Sequence, residues 1–226
     1  MNQIFSVVDN KYNEIVKQLY LSMNGVTSDR MEELGLNYPK NFGVSLVRIK
    51  EIAAKYMPSH ELSQKLWKAK FRETKIIAFM LEDLKIVSID SVLEMASQID
   101  NIELAETGAM YLFSKTGYAI EFCLRCVKSS ELMLQITGFY TAVKIYQKFN
   151  EAESTDMLQH ALNLANTDDL QLAKSIAAFL SRMCRKSAET AYFIQNSLNE
   201  LENPLNEIRK FLLDSVEQEI RFLVQD

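Results

Sequence analysis

Apolar residues recur at three- and four-residue spacing along almost the whole chain, and short polar turns interrupt them. This period is typical of helices that bury one face, whereas alternating apolar and polar residues, the pattern of strands, are nearly absent. We therefore predict an all-α protein. The predicted helices are Gln3–Met23, Val44–Met57, His60–Ala69, Glu73–Leu84, Ser88–Gln98, Glu103–Phe113, Gly117–Val127, Glu131–Phe149, Thr155–Leu164, Asp169–Arg185, Ala188–Asn199 and Pro204–Val224.

The predicted helices group into hairpins. The second helix of successive pairs begins near Arg72, Asn101, Glu131 and Asp168, at intervals of roughly 30 to 40 residues. A single hairpin cannot bury its apolar face alone, so repeats of this length stack on their neighbours. The pattern predicts a HEAT/ARM-like superhelix of antiparallel helical hairpins. Because no linker or composition shift divides the chain, we expect residues 1–226 to form a single domain that binds through its concave face.

Composition agrees with long helices in a soluble protein. The 226 residues include only six glycines and three prolines, with 48% hydrophobic and 24% charged residues. The N-terminus lacks the basic and apolar regions of a signal peptide, and no apolar run has transmembrane length. We predict a cytoplasmic protein without a membrane partner.

The charge balance limits the kind of nucleic-acid site that the chain could form. The net charge is −5, and acidic residues slightly outnumber basic ones in both halves of the sequence. Proteins committed to duplex DNA usually carry a basic excess, because neutralisation of phosphates supplies much of their affinity. Any nucleic-acid site is therefore expected to be a local line of cations.

The cysteines and histidines suggest no metal or hydrolase site. Cys123 and Cys126 form a CxxC inside a helical pattern, with no second ligand pair, so core packing is favoured over a zinc or redox role. His60 and His160 lie near helix starts without a Ser, Cys or carboxylate partner at an informative spacing. We predict neither a metal nor a cofactor.

Two N-terminal motifs carry a family resemblance. They are the run from Asn41 to Tyr56, NFGVSLVRIKEIAAKY, and the run from Leu66 to Ala78, LWKAKFRETKIIA. Together they resemble the DNA alkylation repair (AlkD-like) proteins over about residues 15–200. The resemblance implies a scaffold of HEAT-like helical repeats, whose active members excise N3- or N7-alkylated purines from DNA.

The family's chemistry implies a defined set of site residues. A carboxylate stabilises the oxocarbenium-like sugar, and aromatic faces hold the cationic base. The family carries a Trp-Asp-x-x-Asp segment, an arginine on the next inner helix and a tryptophan on a later one. In this sequence Ile102 stands at the aromatic position and Glu103 beside it in the cleft, while Glu106 replaces the catalytic aspartate.

The remaining catalytic positions also depart from the family pattern. Leu134 and Gln135 occupy the region of the arginine, and Ala178, or alternatively Phe179, stands at the later tryptophan. The single tryptophan, Trp67, belongs to the scaffold motif and is expected to pack between helices. The resemblance therefore implies a scaffold with an altered carboxylate and without the partner residues of catalysis.

One helix carries a candidate line of DNA contacts. At 100° per residue, six positions of the helix after Asp169 share a narrow arc that passes through the position of the family's cleft tryptophan. Lys174, Arg182 and Arg185 in this arc are predicted to meet phosphates, and Lys144 and Lys148 of the neighbouring repeat extend the line. The alternative is a solvated helix face. The arc comprises Gln171, Lys174, Ala178, Ser181, Arg182 and Arg185.

Three functions follow from these observations. The first is a non-catalytic pseudo-enzyme that binds damaged or branched DNA weakly through its concave face. The second is an active glycosylase that uses Glu106, and the third is a HEAT-type scaffold for a protein partner. The sequence leaves open whether Phe139, Tyr140 or Phe179 replaces the missing aromatics.

Overall fold

The computed structural model describes residues 6–36, 38–200 and 207–225, and these residues form helices joined by short turns. The described part contains thirteen α-helices and no strand, so the all-α prediction is confirmed. The helices are α1 Val7–Leu21, α2 Gly25–Glu33, α3 Leu46–Ala53, α4 His60–Lys68, α5 Arg72–Leu81, α6 Ile89–Ser97, α7 Ile102–Tyr111, α8 Ala119–Val127, α9 Leu132–Ile145, α10 Glu151–Leu164, α11 Leu170–Cys184, α12 Ala188–Asn199 and α13 Glu207–Gln225.

Most predicted helices are present, with two differences in the described residues. Helix α2 lies in a segment for which no helix was predicted. Its sequence carries no apolar stripe, and none of its residues is buried. Helix α9 ends at Ile145 and is followed by a 3₁₀ turn. Residues 3–5 and Pro204, which open two of the predicted helices, lie outside the described residues.

The chain contains two compact units, residues 1–91 and 92–226. In the first unit α4 and α5 form a tight hairpin, α3 packs on α5, and α1 packs on both α3 and α4. Apolar side chains of these helices, such as Ile15, Ile49, Leu62 and Ile76, are fully buried. The single-domain organisation stays a prediction.

The second unit is built from two layers of helices. The first layer is the row α7, α9, α11 and α13, in which each helix packs on the next. The second layer consists of α8, α10 and α12, which cover one side of that row. Fully buried rings of Phe113, Phe122, Phe139 and Phe179 fill the space between the layers. One side of the first layer is therefore left open.

The two sequence motifs meet in the first unit around a buried carboxylate. The side chain of Glu73, which is 0% exposed, accepts hydrogen bonds from the backbone amides of Phe42 and Val44 at 3.2 Å. Arg72 is also buried, lies 3.2 Å from the Glu73 carboxylate and donates to the carbonyl of Val44 at 2.9 Å. This pair fastens the loop before α3 to the start of α5.

Steric contacts complete the same junction. The rings of Phe42 and Phe71 stack with centroids 4.9 Å apart, and a β-bridge joins Lys40 to Phe71. Gly43 has φ +66°, and a Cβ at this position would lie 2.1 Å from the carbonyl oxygen of Asn24. The family-like motifs are therefore explained by packing of the first unit.

Candidate nucleic-acid interface

The open side of the first layer brings side chains of neighbouring helices together. The guanidinium of Arg185, at the end of α11, lies 2.5 Å from the Glu219 carboxylate on α13. The same guanidinium interacts electrostatically with Tyr146, just after α9. Since the C-terminal ends of α9 and α11 meet in this way, these two helices run in the same direction.

On α7 the predicted cleft positions share one accessible face. Ile102 and Glu103 are half-buried and Glu106 is exposed, whereas the positions between Leu104 and Ala109 are otherwise buried. At 100° per residue, Ile102 and Glu103 lie about 40° and 60° to either side of Glu106. All three predicted residues therefore lie on the open side of the layer.

Glu106 has a partner that the sequence did not identify. The hydroxyl of Tyr140 on α9 donates a hydrogen bond to the Glu106 carboxylate. Burial, the charge of Glu106 and this hydrogen bond raise the pKa of Tyr140 to about 12. Of the three aromatic candidates, Phe139 and Phe179 are fully buried, and Tyr140 alone reaches the open face.

The Tyr140–Glu106 contact predicts a late tyrosine titration. Below pH 10.0, the ordinary pKa of tyrosine, Tyr140 is neutral and donates to the Glu106 carboxylate. This stabilising contact is lost as the pH rises through the raised pKa of about 12. In Glu106→Gln the pKa of Tyr140 is expected to fall, because a charge that opposes ionisation is gone. Tyrosine ¹³Cζ NMR titration of both proteins, with Tyr140→Phe to assign the signal, measures the shift. An unchanged Tyr140 pKa in Glu106→Gln would contradict the contact.

The predicted line on α11 coincides with the accessible side of that helix. Every other position from Leu172 to Cys184 is buried, whereas the six predicted positions are exposed or half-buried. Lys174 and Arg182 form no ion pair with a described residue. Arg185 differs, because its guanidinium forms an ion pair with Glu219. The hydrogen bond in this pair raises the pKa of the guanidinium. DNA contact by these cations stays a prediction.

Two cations and one amide of the α9 region complete the predicted set. Lys144 is exposed about 40° around α9 from Tyr140, and Lys148 is exposed in the 3₁₀ turn that follows. Neither lysine pairs with a carboxylate of the described residues. Gln135 lies about 140° from Tyr140 and donates to the carbonyl of Ser129 at 2.7 Å, so it faces the α8–α9 turn.

His60 has partners that its sequence spacing did not indicate. His60 Nδ1 lies 2.7 Å from the buried carboxylate of Glu82, which also accepts from Ser63 Oγ at 2.9 Å. The partners are brought together by the α4–α5 hairpin, a contact that sequence spacing does not reveal. Ser63 is fully buried and also donates to the Ala78 carbonyl, so the cluster is structural.

The described residues contain neither a metal-binding cluster nor a membrane-spanning helix. None of their His, Cys, Asp and Glu side chains gather in groups of three or more that could hold an ion. Cys123 and Cys126 are buried, and burial raises the pKa of Cys126 to about 12 and that of Cys123 well above its usual value. No helix in the described ranges is long and apolar enough to cross a membrane.

Comparison with known proteins decides the family. A sequence model described as "DNA alkylation repair enzyme" matches residues 15–222. The chain belongs to this family. The predicted resemblance is therefore confirmed, and the match continues beyond residue 200, where the sequence motifs are weak. No curated protein matches the chain.

A solved structure has the same fold. It is described as "A new family of proteins related to the HEAT-like repeat DNA glycosylases with affinity for branched DNA structures". The similarity covers 93% of this chain and 94% of that chain, with a TM-score of 0.78 and 16% sequence identity. At this identity the likeness shows the fold, and the predicted HEAT-like class is confirmed.

Family membership gives meaning to what the open face holds. The positions predicted to match the family's arginine carry Leu134 and Gln135, and Ala178 stands in the middle of the open line of α11. Phe179, the alternative for that position, is fully buried. In the described part of the open face, the Glu106–Tyr140 pair and the unpaired cations are the features suited to contact a ligand.

Proposed function

We propose that this member of the DNA alkylation repair family binds damaged or branched DNA without cleaving the glycosidic bond, through the open side of the first layer. The observation that carries the proposal is the accessible line on α9 and α11. Lys144, Lys174 and Arg182 point away from the core there without a carboxylate partner among the described residues. Unpaired cations in one row are suited to the sugar–phosphate backbone.

The charges also limit how tightly the line can bind. Residues 92–226 contain 12 basic and 19 acidic residues, so the field around the unit does not attract DNA over long distances. Glu106 and Glu103 add negative charge near the row. We therefore expect weak, backbone-mediated binding that weakens steeply as salt is added.

The geometry argues against base excision. Glu106 is exposed to solvent, whereas a carboxylate that stabilises an oxocarbenium ion acts best in a water-excluded site. Its carboxylate is already engaged by the Tyr140 hydroxyl. Neither Ala178 nor Gln135 supplies the aromatic face or guanidinium that the family uses.

The preference for branched DNA is supported by the structural neighbour. That protein is described as having affinity for branched DNA structures, and its fold spans nearly the same length as this chain. A backbone line without base-reading aromatics recognises the shape of DNA more readily than its sequence. Binding of this chain to branched DNA is part of the proposal.

Two other functions have some support. An active glycosylase would use Glu106 with Tyr140 as its aromatic ring, and the observation that favours it is their direct contact on the open face. A protein-interaction scaffold is favoured by the acidic excess of residues 92–226.

The deciding experiment measures binding and base release on the same protein. Mobility-shift titrations use linear, nicked and four-way-junction DNA at several salt concentrations, and chromatography follows release of methylated purines. Lys174→Gln/Arg182→Gln is expected to weaken binding about tenfold and to lower the salt slope by about 2. Arg125→Gln/Lys128→Gln, at the C-terminal end of α8 in the second layer, removes the same charge and is expected to change binding less than about twofold.

Three other results would contradict the proposed function. Base release above the spontaneous rate, lost in Glu106→Gln, would establish a glycosylase. Equal weakening by the α8 and α11 variants would reduce the effect to net charge and refute the line. Absence of salt-sensitive binding to any of the three DNA forms would favour a protein partner.

A further inference from the structure

The first unit carries a cluster of lysines that the proposed interface does not use. Lys70 lies in the turn between α4 and α5, Lys75 lies in the first turns of α5, and Lys40 is joined to Phe71 by the β-bridge. All three border the N-terminus of α5. We name Lys40, Lys70 and Lys75 the α5 lysine cluster.

Two of these lysines are held by aromatic rings. The Lys40 ammonium lies 4.9 Å from the centroid of Phe71, and the Lys75 ammonium lies 5.0 Å from the centroid of Trp67. Such contacts restrict a long side chain without neutralising its charge. Less conformational entropy is therefore lost when these ammonium groups meet an anion.

The nearby acids form no ion pair with the lysines of the cluster. Arg72 and Glu73, next in sequence, neutralise each other in the interior. Glu32 lines the same shallow cavity of about 250 Å³ as Lys40, but the two form no ion pair. None of the three lysines pairs with a carboxylate in the described residues.

Other features point to an anion at this place. Phe71, the N-cap of α5, offers no side-chain acceptor to the first amides of the helix, of which the Arg72 amide donates to the Lys40 carbonyl at 2.9 Å. A helix N-terminus favours negative charge, and the buried Glu73 carboxylate in the first turn supplies part of it. Residues 1–91 contain 13 basic and 11 acidic residues, so this unit is basic although the whole chain is acidic. The charge of the protein is thus unevenly divided.

We propose that the α5 lysine cluster is a second surface of the protein that contacts the sugar–phosphate backbone of bound DNA. The proposal rests on the DNA binding proposed above, but it places part of that binding in the first unit. Contacts in both units make the affinity depend on two separate groups of cations.

The test uses the full chain with the triple variant Lys40→Gln/Lys70→Gln/Lys75→Gln. Its matched control is Lys17→Gln/Lys50→Gln/Lys85→Gln, three exposed lysines of the same unit that carry the same total charge. Mobility-shift titrations with four-way-junction DNA are run at several salt concentrations. The cluster variant is expected to bind at least about tenfold more weakly, with a salt slope lower by about 2 to 3, and the control less than about twofold more weakly.

The outcomes separate this inference from the proposed function. If Lys174→Gln/Arg182→Gln weakens binding while the cluster variant matches its control, the inference is wrong and the proposed interface stands. If the cluster variant alone weakens binding, the inference stands and the α11 line is wrong. Absence of DNA binding by the unaltered protein overturns both. Thermal melting of every variant is expected to stay cooperative, with only a small decrease where the cation–π contacts of Lys40 and Lys75 are lost, and this excludes loss of fold as the cause.

Discussion

Glu73→Gln is expected to lower the free energy of unfolding of the first unit by about 3–5 kcal/mol, because it removes one partner of a buried charge pair. The Glu73 side chain is 0% exposed, and Arg72, 2% exposed, would be left with an uncompensated charge. The neutral amide would also place an NH₂ group near the amides of Phe42 and Val44, which need acceptors.

Urea unfolding followed by fluorescence measures this loss. The single tryptophan, Trp67, lies in the same unit and packs on Phe79, so its emission reports the unit that contains Glu73. Glu51→Gln is the control, because Glu51 forms an exposed pair with Arg48 and should cost less than about 1 kcal/mol. A similar midpoint for both variants would show that the buried pair does not hold the two motifs together.

Gly43→Ala is expected to cost about 3 kcal/mol or more in the same unit, from two effects that add. A Cβ would disfavour the backbone at φ +66° by roughly 1–2 kcal/mol. It would also lie 2.1 Å from the Asn24 carbonyl oxygen and 2.7 Å from the Ser28 amide nitrogen, both backbone atoms, so the chain must move.

Gly35→Ala separates these two effects. Gly35 also has a positive φ, +84°, but a Cβ there would have no atom within 4 Å. It should therefore show the backbone cost alone, about 1 kcal/mol. Urea unfolding measures the loss of free energy of unfolding in both variants. Equal losses would mean that the backbone around Gly43 moves away from a Cβ without further cost.

Both predictions concern why the family motifs exist. The runs around Gly43 and Glu73 belong to the first unit, and their residue types serve a junction between α3 and α5. A sequence can therefore retain the family scaffold while its catalytic positions change. This separation explains how the resemblance identifies the fold without fixing the activity.

The sequence alone determined the elements and the faces of single helices. The helical period fixes which residues share one side of a helix, so the line from Gln171 to Arg185 could be read directly and lies on the accessible side of α11. Ile102 and Glu106, in contrast, were named by the family resemblance, and they share one face of α7. Helix α2 was not predicted, because it has no apolar stripe.

Only the tertiary structure decided which faces meet. The contacts between Tyr140 and Glu106, Arg185 and Glu219, and His60 and Glu82 all join different helices or hairpin partners. The period within one helix does not fix the rotation and shift of its neighbour, because these depend on how side chains interlock across the whole layer. For this reason the sequence predicted a row of cations, and packing decided which of them remain unpaired.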